Sequence, residues 1–438
     1  MTARLWAAGG KAADLVVRSV RVVDPQEGLD EVRDLAVARG RIAAADKATV
    51  GKDLRVVDGR GLVALPGFVD LHAHFRVPGR EDEEDLVTAT AAAAAGGYVA
   101  VFGMANTDPV VDTAPVLRSL AERAQREASV ACGFFAAVTR DLAGRQLTEM
   151  GELAAAGAVG FSDDGRPLES SLLVRRALQY AKITGRFVAI HAQDASLTQG
   201  GVMHEGAVSA RLGLVGLPAV AESLDVGRAL EIAAYEGGRI HVCHVSVRGS
   251  LEHIARAKQA GVAVTAEVAP HHLCLTDEEV RSLDPDLKMN PPLRPEADRK
   301  ALVEALREGL LDCVATDHAP HAQHEKEVPF EAAAFGTIGL ETAFAAIHTA
   351  CVLEGDLSLS VLAERMSQGP ARIAGIPVPT LRAGAPADFC LVDPARTWTV
   401  DRQAQRSRSR NSAWAGRDLT GKVVLTVAGG RLVWEDVG

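Results

Sequence analysis

Two histidines, His72 and His74, end an apolar run in the pattern Asp-Leu-His-Ala-His. Because side chains alternate along a strand, both imidazoles point to the same side at the end of a predicted strand. Taken alone, the pair also fits two histidines packed in a barrel mouth. Acidic or imidazole groups end four further apolar runs, however. They are Asp163 and Asp164 after the fourth run, His191 after the fifth, His244 after the sixth, and Asp317 and His318 after the eighth.

Converging histidines and aspartates without a matching set of lysines or arginines would repel or lie unsatisfied unless a cation held them together. The pattern therefore predicts a metal site. Imidazole and carboxylate ligands suit zinc and also admit manganese, iron or cobalt, so ligand chemistry alone does not choose the ion. Six ligands are more than one tetrahedral zinc ion can bind. Two ions that share a bridging carboxylate and a bridging hydroxide would use all six. Such a pair polarises a carbonyl and supplies a nucleophile at neutral pH.

Eight apolar runs from residue 63 onward must position these histidines and aspartates. Segments rich in Ala, Leu, Glu and Arg, with helical spacing, separate the runs from one another. Eight strand–helix units predict a (β/α)8 TIM barrel, whose active sites lie at the C-terminal ends of the strands. Both ends of the chain instead show short strands and turns. We therefore predict an α/β protein with a barrel over 63–375 and one small β-sandwich-like domain built from 1–62 and 376–438.

Composition and charge exclude several classes of protein. Of 438 residues, 47% are hydrophobic and 24% are charged, which is typical of a folded enzyme and unlike a disordered chain. A net charge of −10 disfavours nucleic acid and anionic membranes as partners. We see no signal-peptide pattern and no run of about 18 apolar residues, so we expect a cytoplasmic protein. The one basic run, 402–412, is predicted to be a solvated loop.

Motifs spread over nearly the whole chain make it resemble the dihydroorotases of the amidohydrolase superfamily, in their type I bacterial branch. They are HAHFR, MANT, FSDDG, HAQD, HVS, APHH, KMNPPLR, ATDHAPH, GLET and GAPADFCLVD. The resemblance implies a barrel flanked by a β domain from both termini. It also implies that an aspartate bridges two zinc ions, where other cyclic amidases use a carboxylated lysine. Asp164 stands at that place, and no lysine occurs between Lys52 and Lys182.

The resemblance implies a role for each predicted ligand. One ion would be held by His72, His74 and Asp317, the second by His191 and His244, and Asp164 would bridge them. Asp317 would also act as the catalytic base, which takes a proton from the bridging hydroxide and returns it to the departing amide nitrogen. A carboxylate near a dication has a lowered pKa, which suits a base that is ionised at neutral pH.

Four substrate contacts are also implied by the resemblance. Arg76, two residues beyond His74, would pair bidentately with the carboxylate of the substrate. Asn106, Asn290 and His321 would complete the set. The chain departs from the family's usual residues at positions that are not metal ligands, namely Val77, Ala105, Gln193 and Gly369. Residues around the ligands orient them and set their basicity, so these departures bear on the rate.

The implied activity is the reversible hydrolysis of the ring amide of L-dihydroorotate to N-carbamoyl-L-aspartate in pyrimidine biosynthesis. One alternative is another cyclic amidase, of the hydantoinase or allantoinase type, although Asp164 and the pair Arg76 and Asn106 speak against it. The other alternative is a non-catalytic scaffold for aspartate transcarbamoylase, although such forms typically lose metal ligands. Association of an active enzyme with that transcarbamoylase stays open, and so does a homodimer.

Overall fold

The computed structural model describes residues 3–43 and 54–436, so the stretch 44–53 of the predicted terminal domain lies outside the described residues. The strands are β1 (Leu15–Asp24), β2 (Leu29–Ala38), β3 (Arg41–Ala43), β4 (Arg55–Asp58), β5 (Val63–Pro66), β6 (Phe68–Ala73), β7 (Tyr98–Gly103), β8 (Ala131–Phe134), β9 (Phe161–Ser162), β10 (Val188–Ile190), β11 (Met203–His204), β12 (Gly216–Leu217), β13 (Ile240–Val242), β14 (Val264–Val268), β15 (Cys313–Val314), β16 (Phe389–Thr399), β17 (Asp418–Ala428) and β18 (Arg431–Glu435).

The α-helices are α1 (Leu86–Ala95), α2 (Ala114–Glu127), α3 (Met150–Ala156), α4 (Ser171–Thr184), α5 (Ala207–Leu212), α6 (Ala219–Glu236), α7 (Arg248–Gln259), α8 (Pro270–Cys274), α9 (Glu296–Glu308), α10 (Gln323–Lys326), α11 (Ala343–Ile347), α12 (Leu359–Ala363) and α13 (Gly369–Ala374). Several end at a glycine with a positive φ angle, such as Gly185 after α4 and Gly237 after α6, because glycine adopts the left-handed conformation without steric cost. In the described part of the chain, no helix has the length and apolar character needed to cross a membrane.

Eight parallel strands form the barrel. β6, β7 and β8 pair in that order, and so do β9, β10, β13, β14 and β15. Parallel bridges from Ala136 to Phe161 and from Ala73 to His318 join the two groups at both seams. Each barrel strand falls within one of the eight apolar runs, so the predicted (β/α)8 barrel is confirmed.

The two ends of the chain meet in one sheet of eight strands. Its order is β18-β17-β16-β5-β1-β2-β3, and β4 pairs with β1 beside β5. The central contact is the antiparallel pairing of β5 with β16, which joins the N-terminal strands to the C-terminal ones. Residues from both ends, such as Val22 and Leu391, share one hydrophobic core below this sheet.

The apolar run predicted as the first barrel strand is two strands in the structure. β5 belongs to the terminal sheet and β6 to the barrel, and Gly67 separates them. A Cβ on Gly67 would lie 2.2 Å from Cγ1 of Val99, so a side chain at this junction would collide with β7. Both strands are fully buried, which explains why they form one continuous apolar run in the sequence. The terminal sheet therefore extends to Pro66, beyond the predicted boundary at residue 62.

The connection between β16 and β17, residues 400–417, contains the basic run. The segment is a loop in which Arg402, Arg406 and Arg408 are exposed, as predicted. The prediction fails for Ser407, Asn411 and Ser412, which are only 1%, 3% and 2% exposed. The Ser407 hydroxyl donates to the buried carboxylate of Glu84. Glu84, an acidic group of the barrel, thus binds this segment at the barrel mouth. The charges within the segment itself do not reveal this contact.

Candidate active site

The six predicted ligands lie together at the C-terminal ends of the barrel strands. Asp164 is at their centre. Its Oδ1 lies 3.5 Å from His72 Nε2, His191 Nδ1 and His244 Nε2, and its Oδ2 lies 3.6 Å from His74 Nε2. All five side chains are buried. One carboxylate therefore touches histidines from four different positions in the barrel, as a bridging ligand would.

Asp317 lies on the side of the site formed by the first strand. Its Oδ1 is 3.3 Å from His74 Nε2 and 3.6 Å from His72 Nε2. Ligand atoms of these three residues lie within 4.8 Å of one another, and the same holds for His72, Asp164 and His244. Five of the six predicted ligands thus fall into two overlapping groups that share His72, and His191 belongs to neither of the two.

Hydrogen bonds at the far side of the imidazoles orient them toward this centre. A ring nitrogen that donates to an acceptor fixes the tautomer, and the opposite nitrogen then presents a lone pair. Three of the four rings have such a partner: His72 Nδ1 with Glu267 Oε1 at 2.7 Å, His74 Nδ1 with Asn106 Oδ1 at 2.9 Å, and His191 Nε2 with Gln193 Oε1 at 3.2 Å.

The donor set fits divalent metal ions. His72 Nε2 and Asp164 Oδ1 are buried and have no hydrogen-bond partner among the described residues. A buried polar atom without a partner costs free energy, and a cation between such atoms would remove that cost. Burial tends to raise the pKa of Asp164, but the charge of the nearby His72 and the close approach of His191 and His244 outweigh it and hold the pKa well below its usual value. The carboxylate is therefore ionised, as a metal ligand must be.

The pKa of Asp317 is also lowered. Burial alone would raise it, but the hydrogen bond to His74 and the nearby charge of His72 favour the ionised carboxylate. Asp163, the neighbour of Asp164, points away from the centre and accepts hydrogen bonds from the backbone N–H groups of Val138 and Thr139. Only the second aspartate of the pair thus contributes to the site.

The four predicted substrate residues lie in the same mouth. Arg76 Nη2 is 3.2 Å from His321 Nε2, and Asn290 Nδ2 is 3.4 Å from His191 Nε2. Asn106 accepts from His74, as described above, and its Nδ2 is 3.5 Å from Asp164 Oδ2. Asn106 and Asn290 therefore contact predicted metal ligands directly, whereas Arg76 and His321 contact each other.

Arg76 has partners that the sequence did not indicate. Its Nε donates to the carbonyl of Pro320 at 2.9 Å and lies 2.9 Å from Oε2 of Glu83, a fully buried carboxylate. Burial lowers the pKa of Arg76 to about 10, so the guanidinium remains charged at neutral pH. Its φ angle of 59° is in the left-handed region, which turns the side chain from the strand end into the mouth.

Two buried acids behind the ligands were missed in the sequence. Glu267 in β14 accepts from His72 and, at 2.9 Å, from His241 Nε2. Asp70 in β6 accepts from the backbone N–H groups of Thr316 at 3.0 Å and His72 at 3.1 Å. Both Glu267 and Asp70 could have been found as single acidic residues within apolar strands. A buried acidic residue rarely lacks a polar or charged partner.

Comparisons with known proteins identify relatives of this chain. A family described as dihydro-orotase-like matches residues 61–250. A dihydroorotase of Anaeromyxobacter dehalogenans (strain 2CP-1) is 46% identical over 425 residues, which cover 96% of this chain and 98% of that protein. A dihydroorotase of Syntrophus aciditrophicus is 44% identical over 424 residues, covering 96% of this chain and 99% of that protein.

Solved structures share the fold. The L-hydantoinase (dihydropyrimidinase) from Arthrobacter aurescens has a TM-score of 0.86 and 28% identity, with 96% of each chain covered. The dihydropyrimidinase from Brevibacillus agri NCHU1002 has a TM-score of 0.82 at 22% identity, with 97% of this chain and 95% of that chain covered. Fold and site define an enzyme of the metal-dependent cyclic amidohydrolases. Within that class, the chain belongs to the dihydroorotase family.

Proposed function

We propose that this enzyme interconverts L-dihydroorotate and N-carbamoyl-L-aspartate by opening and closing the ring amide. The observation that carries the proposal is the arrangement of four histidines around Asp164, with Asp317 and Arg76 beside them. This arrangement combines a place for metal, an ionised base and a cation for a substrate carboxylate within one mouth. The identity to dihydroorotases over nearly the full chain supports the same substrate.

Two divalent ions, zinc by preference, are assigned to this centre. His72, His74 and Asp317 would hold one ion, His191 and His244 the second, and Asp164 would bridge them. The donor set supports this assignment, and so do the buried atoms His72 Nε2 and Asp164 Oδ1, which lack a hydrogen bond to any described residue. When bound, such ions would polarise the amide carbonyl and activate water for attack at neutral pH.

Asp317 carries the proton transfers in this proposal. Its ionised carboxylate accepts the proton of the attacking water and delivers it to the ring nitrogen as the C–N bond breaks. The reverse sequence closes the ring. His74 Nε2 lies 3.3 Å from Asp317 Oδ1, and the ion that both would hold would keep the carboxylate in place.

The substrate carboxylate is bound by Arg76 with Asn106, Asn290 and His321. Because the carbonyl of Pro320 engages Nε of Arg76, the carboxylate meets the terminal nitrogens of the guanidinium. The side-chain amides of Asn106 and Asn290 lie on the side of the mouth where the proposed metal ligands are. They complete the hydrogen bonds to the ring of the substrate.

Three expectations from the sequence stay predictions. They are a cytoplasmic location, a homodimer, and association with aspartate transcarbamoylase. Size-exclusion chromatography of the purified chain, alone and mixed with aspartate transcarbamoylase, measures the last two directly.

The test of the proposed function is the hydrolysis of L-dihydroorotate by the purified, zinc-reconstituted protein, with hydantoin and allantoin in parallel reactions. Turnover of dihydroorotate alone is the expected result. Preferred turnover of hydantoin or allantoin would overturn the substrate assignment in favour of another cyclic amidase. Inactivity on all three substrates, with zinc bound, would favour the scaffold alternative, and aspartate transcarbamoylase would then be added to the assay.

A further inference from the structure

Asn411 belongs to the terminal domain by its place in the β16–β17 connection, yet its side chain reaches the barrel mouth. There it contacts two segments, the mouth loop (residues 317–321) and the facing segment (residues 335–338). Its Oδ1 accepts from the backbone N–H of His321 at 3.1 Å. Its Nδ2 donates to the carbonyl oxygens of Ala319 at 2.9 Å and Gly336 at 3.1 Å. The carboxamide therefore links the backbones of both segments.

The imidazole of His321 lies between these two segments. Its Nε2 is 2.8 Å from the carbonyl oxygen of Phe335 and 3.2 Å from Nη2 of Arg76. The packing is tight, since a Cβ on Gly336 would lie 3.2 Å from that same Nε2. The imidazole is also 3.2 Å from Oε2 of Glu325 through its Nδ1. The two segments pair through the backbone bond from the N–H of Ala319 to the carbonyl of Thr337 at 2.9 Å, and Asn411 adds the side-chain link nearest to His321.

The backbone of Asn411 is itself held by the facing segment. Its carbonyl oxygen accepts from the N–H of Ile338 at 2.8 Å and from Oγ1 of Thr337 at 3.2 Å. The same Thr337 hydroxyl accepts from the N–H of Ala413 at 2.9 Å. Asn411 is only 3% exposed, and its own backbone is held by these bonds. Its side chain is therefore a rigid link between the two segments that it joins.

We propose that Asn411 is a positioning residue of the active site, which sets the place of His321 beside Arg76 and so controls how the substrate carboxylate is bound. The inference rests on the proposed function, because it takes His321 as a substrate contact. The hydrogen bonds of Asn411 described above end on residues other than the proposed metal ligands. Its loss is therefore expected to affect substrate binding and to leave metal binding intact.

The test compares Asn411→Ala and Asn411→Ser with a matched control, Ser412→Ala. Ser412 is the adjacent residue, is equally buried, and its hydroxyl accepts from the N–H of Trp414 at 3.3 Å, away from His321. Each variant is measured for zinc content, Tm, kcat and KM with L-dihydroorotate, and hydrogen–deuterium exchange of peptides covering 317–323. The serine variant keeps a polar group and covers the case in which the alanine variant fails to fold.

Both Asn411 variants should raise KM by about ten-fold to 100-fold, with a smaller change in kcat and unchanged zinc content. Exchange of the mouth-loop amides should accelerate at least ten-fold. Ser412→Ala should stay within about two-fold of the unaltered chain in both measurements. Unchanged exchange of the mouth loop in the Asn411 variants would overturn the inference.

A double-mutant cycle with His321→Ala separates positioning from a general loss of structure. If Asn411 acts through His321, the double variant has the same kcat/KM as His321→Ala alone. Fully additive losses would overturn the inference. If the unaltered chain does not turn over L-dihydroorotate, the proposed function fails, and the exchange of the mouth loop still decides whether Asn411 holds it.

Discussion

Glu267→Gln should weaken metal binding at the proposed centre while the barrel stays folded. Glu267 is 1% exposed and accepts from His72 Nδ1 at 2.7 Å and from His241 Nε2 at 2.9 Å. A glutamine can keep its oxygen on His72 and turn its NH2 group to His241. His241 can receive that bond because its other nitrogen, Nδ1, lies 2.8 Å from Oγ1 of Thr265 and can donate there.

The variant loses the negative charge behind His72. That charge increases the basicity of the imidazole whose Nε2 faces Asp164 and Asp317. Partners of this kind contribute about 10- to 100-fold in metal affinity. The expected loss is therefore about 1.4 to 2.7 kcal/mol, since a ten-fold change in affinity is about 1.4 kcal/mol. Because His72 serves only one of the two proposed ions, one dissociation constant should rise and the other should stay near its original value.

Chelator competition with zinc on the purified protein measures both dissociation constants. Thr265→Val is the matched control, because it removes the hydroxyl beside His241 and leaves the carboxylate on His72. The control should bind zinc within about two-fold of the unaltered chain. Equal zinc affinity in Glu267→Gln and the unaltered chain would refute the reasoning. A loss of both ions together with a lowered Tm would instead indicate damage to the barrel.

Three further substitutions test the remaining assignments. Asp164→Ala should lose both ions and activity together, as metal analysis and turnover assays report; full activity at saturating zinc would reject the bridging role. Asp317→Asn should lower kcat by about 100-fold or more with little change in KM, because an amide cannot accept the proton; steady-state kinetics with a near-normal kcat would contradict this. Arg76→Met should raise KM for L-dihydroorotate about ten-fold to 100-fold with zinc content unchanged; an unaltered KM would remove Arg76 from the substrate site.

The barrel and the cluster of histidines and aspartates at its mouth could be predicted from the sequence because both depend on local patterns. A parallel barrel strand is a short apolar run, and its C-terminal end is the place of the site, so a histidine or aspartate after such a run has a defined position. His72 and His74 illustrate this. Side chains alternate along a strand, so two histidines that are two residues apart direct their rings to the same point. The ligands of the other strands followed from the same rule, without any knowledge of how the strands pair.

The residues that support the ligands could not be predicted in this way, because their contacts depend on pairing across the barrel. Glu267 is visible in the sequence as an acid within an apolar run, but its bond to His72 spans 195 positions. The ion pair of Arg76 with Glu83 lies within one short stretch, yet it forms only because the backbone at Arg76 turns into the left-handed region. Gly67 likewise divides an apolar run for a reason, contact with Val99, that lies on the next strand.

The terminal sheet is part of the active-site architecture through its β16–β17 connection. At one point Ser407 donates to Glu84, whose Oε2 lies 3.3 Å from Nε2 of His318, the residue after Asp317. At a second point Asn411 holds His321, at the other end of the same loop. The loop that supplies both the proposed base and a proposed substrate contact is thus fixed from the C-terminal part of the chain. A disturbance of the terminal sheet should therefore weaken substrate binding more than metal binding, because the histidines of the proposed metal centre follow the barrel strands.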